Sequence, residues 1–183
     1  MNSMIDYISS MIAGGSVFLM MLTYYLNVSA TAISQLFSTT TQEDMTSITE
    51  ILEHDFRKAG YGVSDSVAFP VIDSSRISIR GDLDNNGTID TVTYWLSSTP
   101  LAGHPNPAAR IMYRRVGNST VSLTTNAITL FTVRYYNAAG VQTAIKKDVQ
   151  FAKVAINMEC KLSYDNQTAG EYWERVIKPQ NVR

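Results

Sequence analysis

Residues 8–28 read ISSMIAGGSVFLMMLTYYLNV, and residues 43–59 read EDMTSITEILEHDFRKA. The first stretch is 21 residues with an apolar majority and no charge. As a helix rising about 1.5 Å per residue it spans a hydrocarbon core of about 30 Å. It is a poor signal peptide, because no Lys or Arg precedes Arg57 and the apolar run is too long for a cleaved segment. The alternative is a helix buried in a soluble core, to which Ser9, Ser10, Ser16, Thr23 and Asn27 lend some weight. In the second stretch Met45, Ile48, Leu52, Phe56 and Ala59 recur at spacings of 3, 4, 4 and 3, with charged residues between them. That is one apolar stripe on an otherwise polar helix.

No proline occurs before Pro70, so nothing stops a helix between the two stretches. Gly60 and Gly62 supply the C-terminal stop. The expectation is one helix from about Ser3 to Ala59, roughly 85 Å long by its rise, able to bend or unwind near Gly14, Gly15 and Asn27–Thr31. Residues 1–42 form its apolar part, 43–62 its amphipathic continuation, and 63–183 a globular domain.

Charge divides the chain in the same place. No charged side chain occurs in the 36 residues from Tyr7 to Gln42, whereas 30 of the 31 charged residues lie from Glu43 onward. The formal net charge of -1 lacks the basic excess that a nucleic-acid binder needs, so nucleic acid is not an expected partner. One cysteine, Cys160, excludes an intramolecular disulfide and a thiolate zinc cage. It alternates with Met158 and Leu162 and reads as a small buried hydrophobe.

From Val67 onward the period becomes two, and β-branched and aromatic residues fill short runs. Strands are expected near 68–72, 76–80, 88–96, 110–116, 119–124 and 128–136, with a long pair-forming stretch over 144–163. Short turns between them, such as Gly117-Asn118, imply antiparallel pairing. Pro100, Pro105 and Pro107 make 100–107 a loop. The helix stripe needs an apolar sheet face to cover, so the fold class is α+β: a long apolar-to-amphipathic helix packed on an antiparallel β-sheet domain.

The sharpest motif is DLDNNGTID, Asp82–Asp90. Asp82, Asp84, Asn86 and Asp90 fall at positions 1, 3, 5 and 9 of a calcium loop, with Gly87 at 6 and the Thr88 carbonyl at 7. Clustered oxygens suit a hard cation. Position 12 is Thr93, so the bidentate glutamate is missing, and a plain hairpin with positive φ at Asn86-Gly87 explains the same residues. Both readings stand at this point, and Ca2+ as a cofactor rests on the first.

Catalytic patterns are thin. His54 sits among helix charges as a solvated or packed residue, and His104 lies in the proline loop, where an exposed role is expected. No nucleophile elbow, phosphate loop or zinc-protease motif occurs, so an enzyme is not expected. Asn27, Asn86, Asn118 and Asn166 match a glycosylation pattern too short to decide anything.

The layout resembles the type IV pilin superfamily. Met45–Val63 (MTSITEILEHDFRKAGYGV) is similar to the post-membrane helix of W-type minor pilins and of J-type minor pseudopilins of type II secretion. Asp82–Leu96 (DLDNNGTIDTVTYWL), Arg110–Arg115 (RIMYRR), Ile128–Gly140 (ITLFTVRYYNAAG) and Val176–Val182 (VIKPQNV) resemble that family's successive strands and tail. The family carries a short basic leader before an apolar start, with a glutamate at the fifth mature position. The present chain shows no such leader, and removal of Met1 makes Asp6 the fifth residue. The resemblance implies a structural subunit of a pilus-like filament or type II secretion pseudopilus. Its partners are further copies or other pilin-like subunits, and it sits in the inner membrane before assembly and in an extracellular or periplasmic filament afterwards. Asp6, Gly14 and Gly15 are the expected assembly residues. The runner-up is a single-pass membrane-anchored surface domain that binds a partner, with calcium ordering a loop, and a weaker third is a hydrolase of unrecognised type.

Overall fold

The structure is a computed structural model that describes residues 2–64, 67–162 and 168–182. Helix α1 runs without a break over Asn2–Lys58, 57 residues and about 85 Å by its rise. The helix does not unwind near Gly14, Gly15 or 27–31, since no proline interrupts the ladder and each glycine costs only about 1 kcal/mol. The strands are β1 (Val71–Ile72), β2 (Arg76–Gly81), β3 (Asp90–Leu96), β4 (Met112–Val116), β5 (Ser119–Ser122), β6 (Ala127–Tyr136), β7 (Phe151–Glu159) and β8 (Gly170–Ile177). All pairings are antiparallel, so the expected α+β fold of one long helix on an antiparallel β domain is the fold observed.

The strands divide into two sheets, β1-β2-β3-β4-β5 and β6-β7-β8. Three expectations need correction. The stretch 144–163 does not pair with itself: it opens with a 3-10 turn, Lys146–Asp148, and only Phe151–Glu159 is strand, lying between β6 and β8; Ser163, like Asn166, lies outside the described residues. The strand expected from Thr88 begins at Asp90, because Thr88 is still held by the preceding turn. The strand expected from Ala68 begins at Val71, just after Pro70, although the Ala68 carbonyl already accepts from Arg80 N at 2.8 Å.

The helix stripe is where the two sheets meet. Met45, Ile48, Leu52, Phe56 and Ala59 are all buried, in one cluster with Ile77, Ile79, Val92 and Tyr94 of the first sheet and Phe131, Val133, Val154 and Ile156 of the second. Phe69 bridges them, its ring 5.6 Å from Phe56 and 5.7 Å from Tyr135. The helix stops where expected: Gly60 takes φ 81° and gives its N–H to Arg80 O at 2.8 Å. At this contact Gly81 has no room for a side chain, since a Cβ would lie 2.4 Å from the Lys58 carbonyl oxygen. The helix end is therefore laid directly on the end of β2.

Among residues 3–58 of α1 the first buried one is Thr41, and before it only Ser29, Ala30, Ile33 and Phe37 are even half-covered. Deleting residues 1–40 should therefore leave a soluble, folded monomer, because the core cluster begins at Met45. Size-exclusion chromatography without detergent and far-ultraviolet circular dichroism check this; aggregation or loss of strand signal would make the distal helix integral to the fold.

Candidate functional site

Two features of the molecule stand outside ordinary domain packing: the bare distal half of α1, and the polar clamps that fix its proximal half. Met4, Phe18, Met20, Met21, Tyr24 and Tyr25 are each more than 65% exposed, on a segment long and apolar enough to cross a membrane. A water-soluble monomer rarely exposes so large an apolar surface. Four hydroxyls on this segment are satisfied by the helix itself: Ser10 donates to Tyr7 O, Ser16 to Ile12 O, Thr23 to Leu19 O and Thr31 to Asn27 O, at 2.8–2.9 Å. Side chains bonded in this way ask nothing of an apolar surrounding. Asp6 is exposed and has no ion-pair partner among the described residues, and Gly14 and Gly15 face open space. The described residues thus bring nothing to these three positions.

The proximal half is held by two carboxylates. Asp55 is 2% exposed, and its Oδ2 accepts from Arg114 Nε at 2.9 Å, from Arg114 Nη2 at 2.8 Å and from the Tyr94 hydroxyl. Arg114 Nε also reaches the Tyr94 oxygen at 3.1 Å. Burial, reinforced by the Asp55 charge, holds the Tyr94 hydroxyl far above its ordinary ionisation range. Eleven residues earlier, about three turns, Asp44 Oδ2 accepts from Thr124 Oγ1, Thr125 Oγ1, Asn126 N and Asn126 Nδ2 at 3.0–3.3 Å. Those three residues form the crossing from β5 to β6. One helix face therefore clamps the first sheet through Asp55 and the junction of the two sheets through Asp44. Glu53 adds an exposed pair with Arg175 of β8.

The turn at 82–90 is held mainly by its own side chains. Asp82, 7% exposed, accepts from Asn86 N at 3.0 Å and from Gly87 N at 2.9 Å. Asp84 accepts from Asn86 N at 3.2 Å and from Asn86 Nδ2 at 2.8 Å, and Asn86 Oδ1 accepts from Thr88 N at 2.7 Å and from the Thr88 hydroxyl. The positive φ angles fall at Asn85 (60°) and Gly87 (83°), so Asn86 is not the left-handed residue the hairpin reading expected. Asp90 opens β3 opposite Gly81. Among the described residues no three His, Cys, Asp or Glu side chains converge in a way that could hold a metal ion. Asp82, Asp84, Asn86 and Thr88 are brought together, but as a set of side-chain-capped turns.

The two histidines do not build a catalytic group. His54 is exposed with Nδ1 3.4 Å from Asp55 Oδ1. His104 is half-buried rather than exposed: its Nε2 lies 3.0 Å from Cys160 O, and its Nδ1 accepts from Asn106 N at 3.1 Å. Asn106 in turn donates to both Glu159 oxygens at 3.0 and 3.1 Å, so the proline loop is tied to the end of β7. Cys160 is buried, at 3%. Comparison with protein families, curated proteins and solved structures finds no match to this chain.

Asp55→Ala should destabilise the domain by about 3–5 kcal/mol, because it leaves the Arg114 charge half-buried without its partner. In the same cluster, the native state holds the Tyr94 proton above the unfolded ionisation range near pH 10. The folded form then binds more protons than the unfolded one, so stability is intact below about pH 10 and falls as pH rises beyond it. Denaturant titrations across alkaline pH should show this fall, and Tyr94→Phe should lessen it. For the 82–90 turn, Asp82→Ala should cost about 1–3 kcal/mol, because the Gly87 N–H loses its acceptor and the Asn86 N–H keeps only Asp84. The capped-turn reading expects the same melting temperature of the unsubstituted protein in chelator and in millimolar calcium, and the metal reading expects a rise with calcium that Asp84→Ala abolishes.

Proposed function

We propose that the chain is a structural subunit of a type IV pilus-like filament or type II secretion pseudopilus, assembled through its N-terminal helix. The observation that carries this reading is the contrast along α1: an apolar rod left largely bare by the described residues, continuous with a base clamped to a folded domain. A helix that only anchored the protein would need a span of about 20 residues and a linker. Here the rod stays helical from the membrane-length segment into the core, so its orientation is carried rigidly to the domain. In a bundle of such rods, Gly14 and Gly15 would let neighbouring backbones approach closely. A lone carboxylate such as Asp6 would be costly there unless a cation or donor met it, and the N-terminal amine of an adjacent copy is a group of the right charge. Before assembly the same rod would sit in the inner membrane, and afterwards in an extracellular or periplasmic filament. No catalytic step belongs to this role.

Electron microscopy of the purified full-length chain and of its Asp6→Ala variant tests the proposal. Filaments are expected from the first, and a yield lower by about tenfold or more from the second, with the membrane-held chain accumulating equally in both. Monodisperse detergent-bound monomers under every assembly condition would instead favour the membrane-anchored surface domain. Unchanged filament yield from Asp6→Ala would remove the role of that carboxylate.

A further inference from the structure

A groove of about 750 Å³ opens where α1 crosses the first sheet. Its floor is apolar, made by Ile51 of the helix, Leu83 beyond β2, and Val121 and Leu123 in and after β5. Ile51 and Val121 remain 38% and 48% exposed, so the chain leaves this floor uncovered. Three carboxylates stand around it, Glu50, Asp84 and Asp90, and none of them has an ion-pair partner among the described residues. The one guanidinium in the wall, Arg114, is already engaged by Asp55. The groove therefore suits something apolar that carries positive charge.

The chain itself presents such a feature. Between β6 and β7 the segment 137–147 folds back on the end of β6, Thr143 N donating to Tyr135 O at 2.9 Å, and it leaves Val141 60% and Ile145 62% exposed, followed by exposed Lys146 and Lys147. Neither lysine has an ion-pair partner among the described residues, and Asp148 beside them leaves the tip with a net positive charge. This knob cannot reach the groove of its own molecule. Ala144 shares a cavity with Ser74, just before β2, whereas the groove includes Asp90, opposite Gly81 at the far end of β2. The two sites are thus separated by the length of a six-residue strand, about 17–20 Å. Nor does the knob face the membrane side of the domain. It precedes Phe151, while the proximal end of β7, at Glu159, adjoins Cys160 and Leu162, which share a cavity with Leu36 and Phe37 where α1 leaves the domain.

We infer that the groove between α1 and the first sheet receives the Ile145–Lys147 knob of a second copy, apolar tip on apolar floor and lysines against Glu50, Asp84 and Asp90. The two patches differ, so the contact is head-to-tail: each copy offers one knob and one groove, and the contact propagates rather than closing a two-fold dimer. It deepens the filament reading and rests on it, adding a domain-to-domain contact that fixes which neighbour each copy takes, while the helices supply most of the buried area. Charge placed this way contributes chiefly to partner choice and register.

Disulfide trapping in the full-length chain tests the contact. Ile145→Cys and Val121→Cys are made singly and together; both sites are exposed, and native Cys160 is buried. Oxidation should give covalent dimers when the two single variants are mixed, none when either is alone, and a ladder of multimers from the double variant. Adding Lys146→Glu and Lys147→Glu to the knob should lower the trapped yield by about tenfold, and Glu50→Lys with Asp84→Lys on the groove partner should restore it. Filaments are scored separately by microscopy. Filaments without trapping overturn the contact and leave the filament reading standing; trapping without filaments supports the contact and overturns the filament. Absence of both overturns both, and dimers from a single variant alone overturn the head-to-tail geometry.

Discussion

Two sheets that do not pair with each other along their length need a common surface, and the stripe from Met45 to Ala59 is that surface. Few backbone bonds join the sheets directly: the isolated bridge between Arg110 and Ile128, and Val133 N to Ser74 O, lie at their margins. The apolar faces of β2, β3, β6 and β7 are buried in the same cluster as this one helix face. Removing the stripe would expose both sheets to water, and the loss would exceed that of any single contact within either one. The distal rod, by contrast, contributes little to the domain.

Apolar packing alone would let a helix slide or turn by a fraction of a residue on such a surface. The polar clamps remove that freedom. Asp55 meets Arg114 and Tyr94 at one level, and Asp44 meets the Thr124–Asn126 crossing about three turns away. Two directional contacts on the same face fix both the height and the rotation of the helix, where one would fix only a pivot. Gly81 adds a third constraint, since the Lys58 carbonyl lies where any side chain would stand. Buried charge is a weak source of stability against a well-packed apolar alternative, so its clearer physical effect here is to select one register.

Much of this was legible locally. The helix from Asn2 to Lys58 follows from an uncharged run, an apolar stripe at helical spacing and a Gly stop, all properties of neighbouring residues. The central strands follow from alternation, as in Ile77 and Ile79 of β2, both inward. The division into two sheets was not legible, because it depends on where the chain turns after β5, and that turn is held by Asp44, some 80 residues earlier. Strand β8 was hidden because its Tyr172, Glu174 and Val176 are all exposed, so no clean apolar face marks it. The clamp residues could have been suspected: Asp44 and Asp55 border the buried stripe at a separation that returns to the same face. Their partners could not, since Arg114 lies 59 residues from Asp55 and nothing local singles it out from Arg115. In the 82–90 turn the residue types fit two geometries, and only the direction of each carboxylate separates them.

The unbroken course of α1 makes the molecule a phase-locked device. Each residue advances the helix by about 100°, so the bearing of Asp6 is indexed to that of Asp55 through every residue between them. One residue inserted in the rod would swing the tip about 100° around its axis, whereas seven would leave it within about 20° of its starting bearing. The count of residues in the apolar segment therefore carries information that its composition does not. Chains of equal apolarity but different length would set their domains at different angles about the rod.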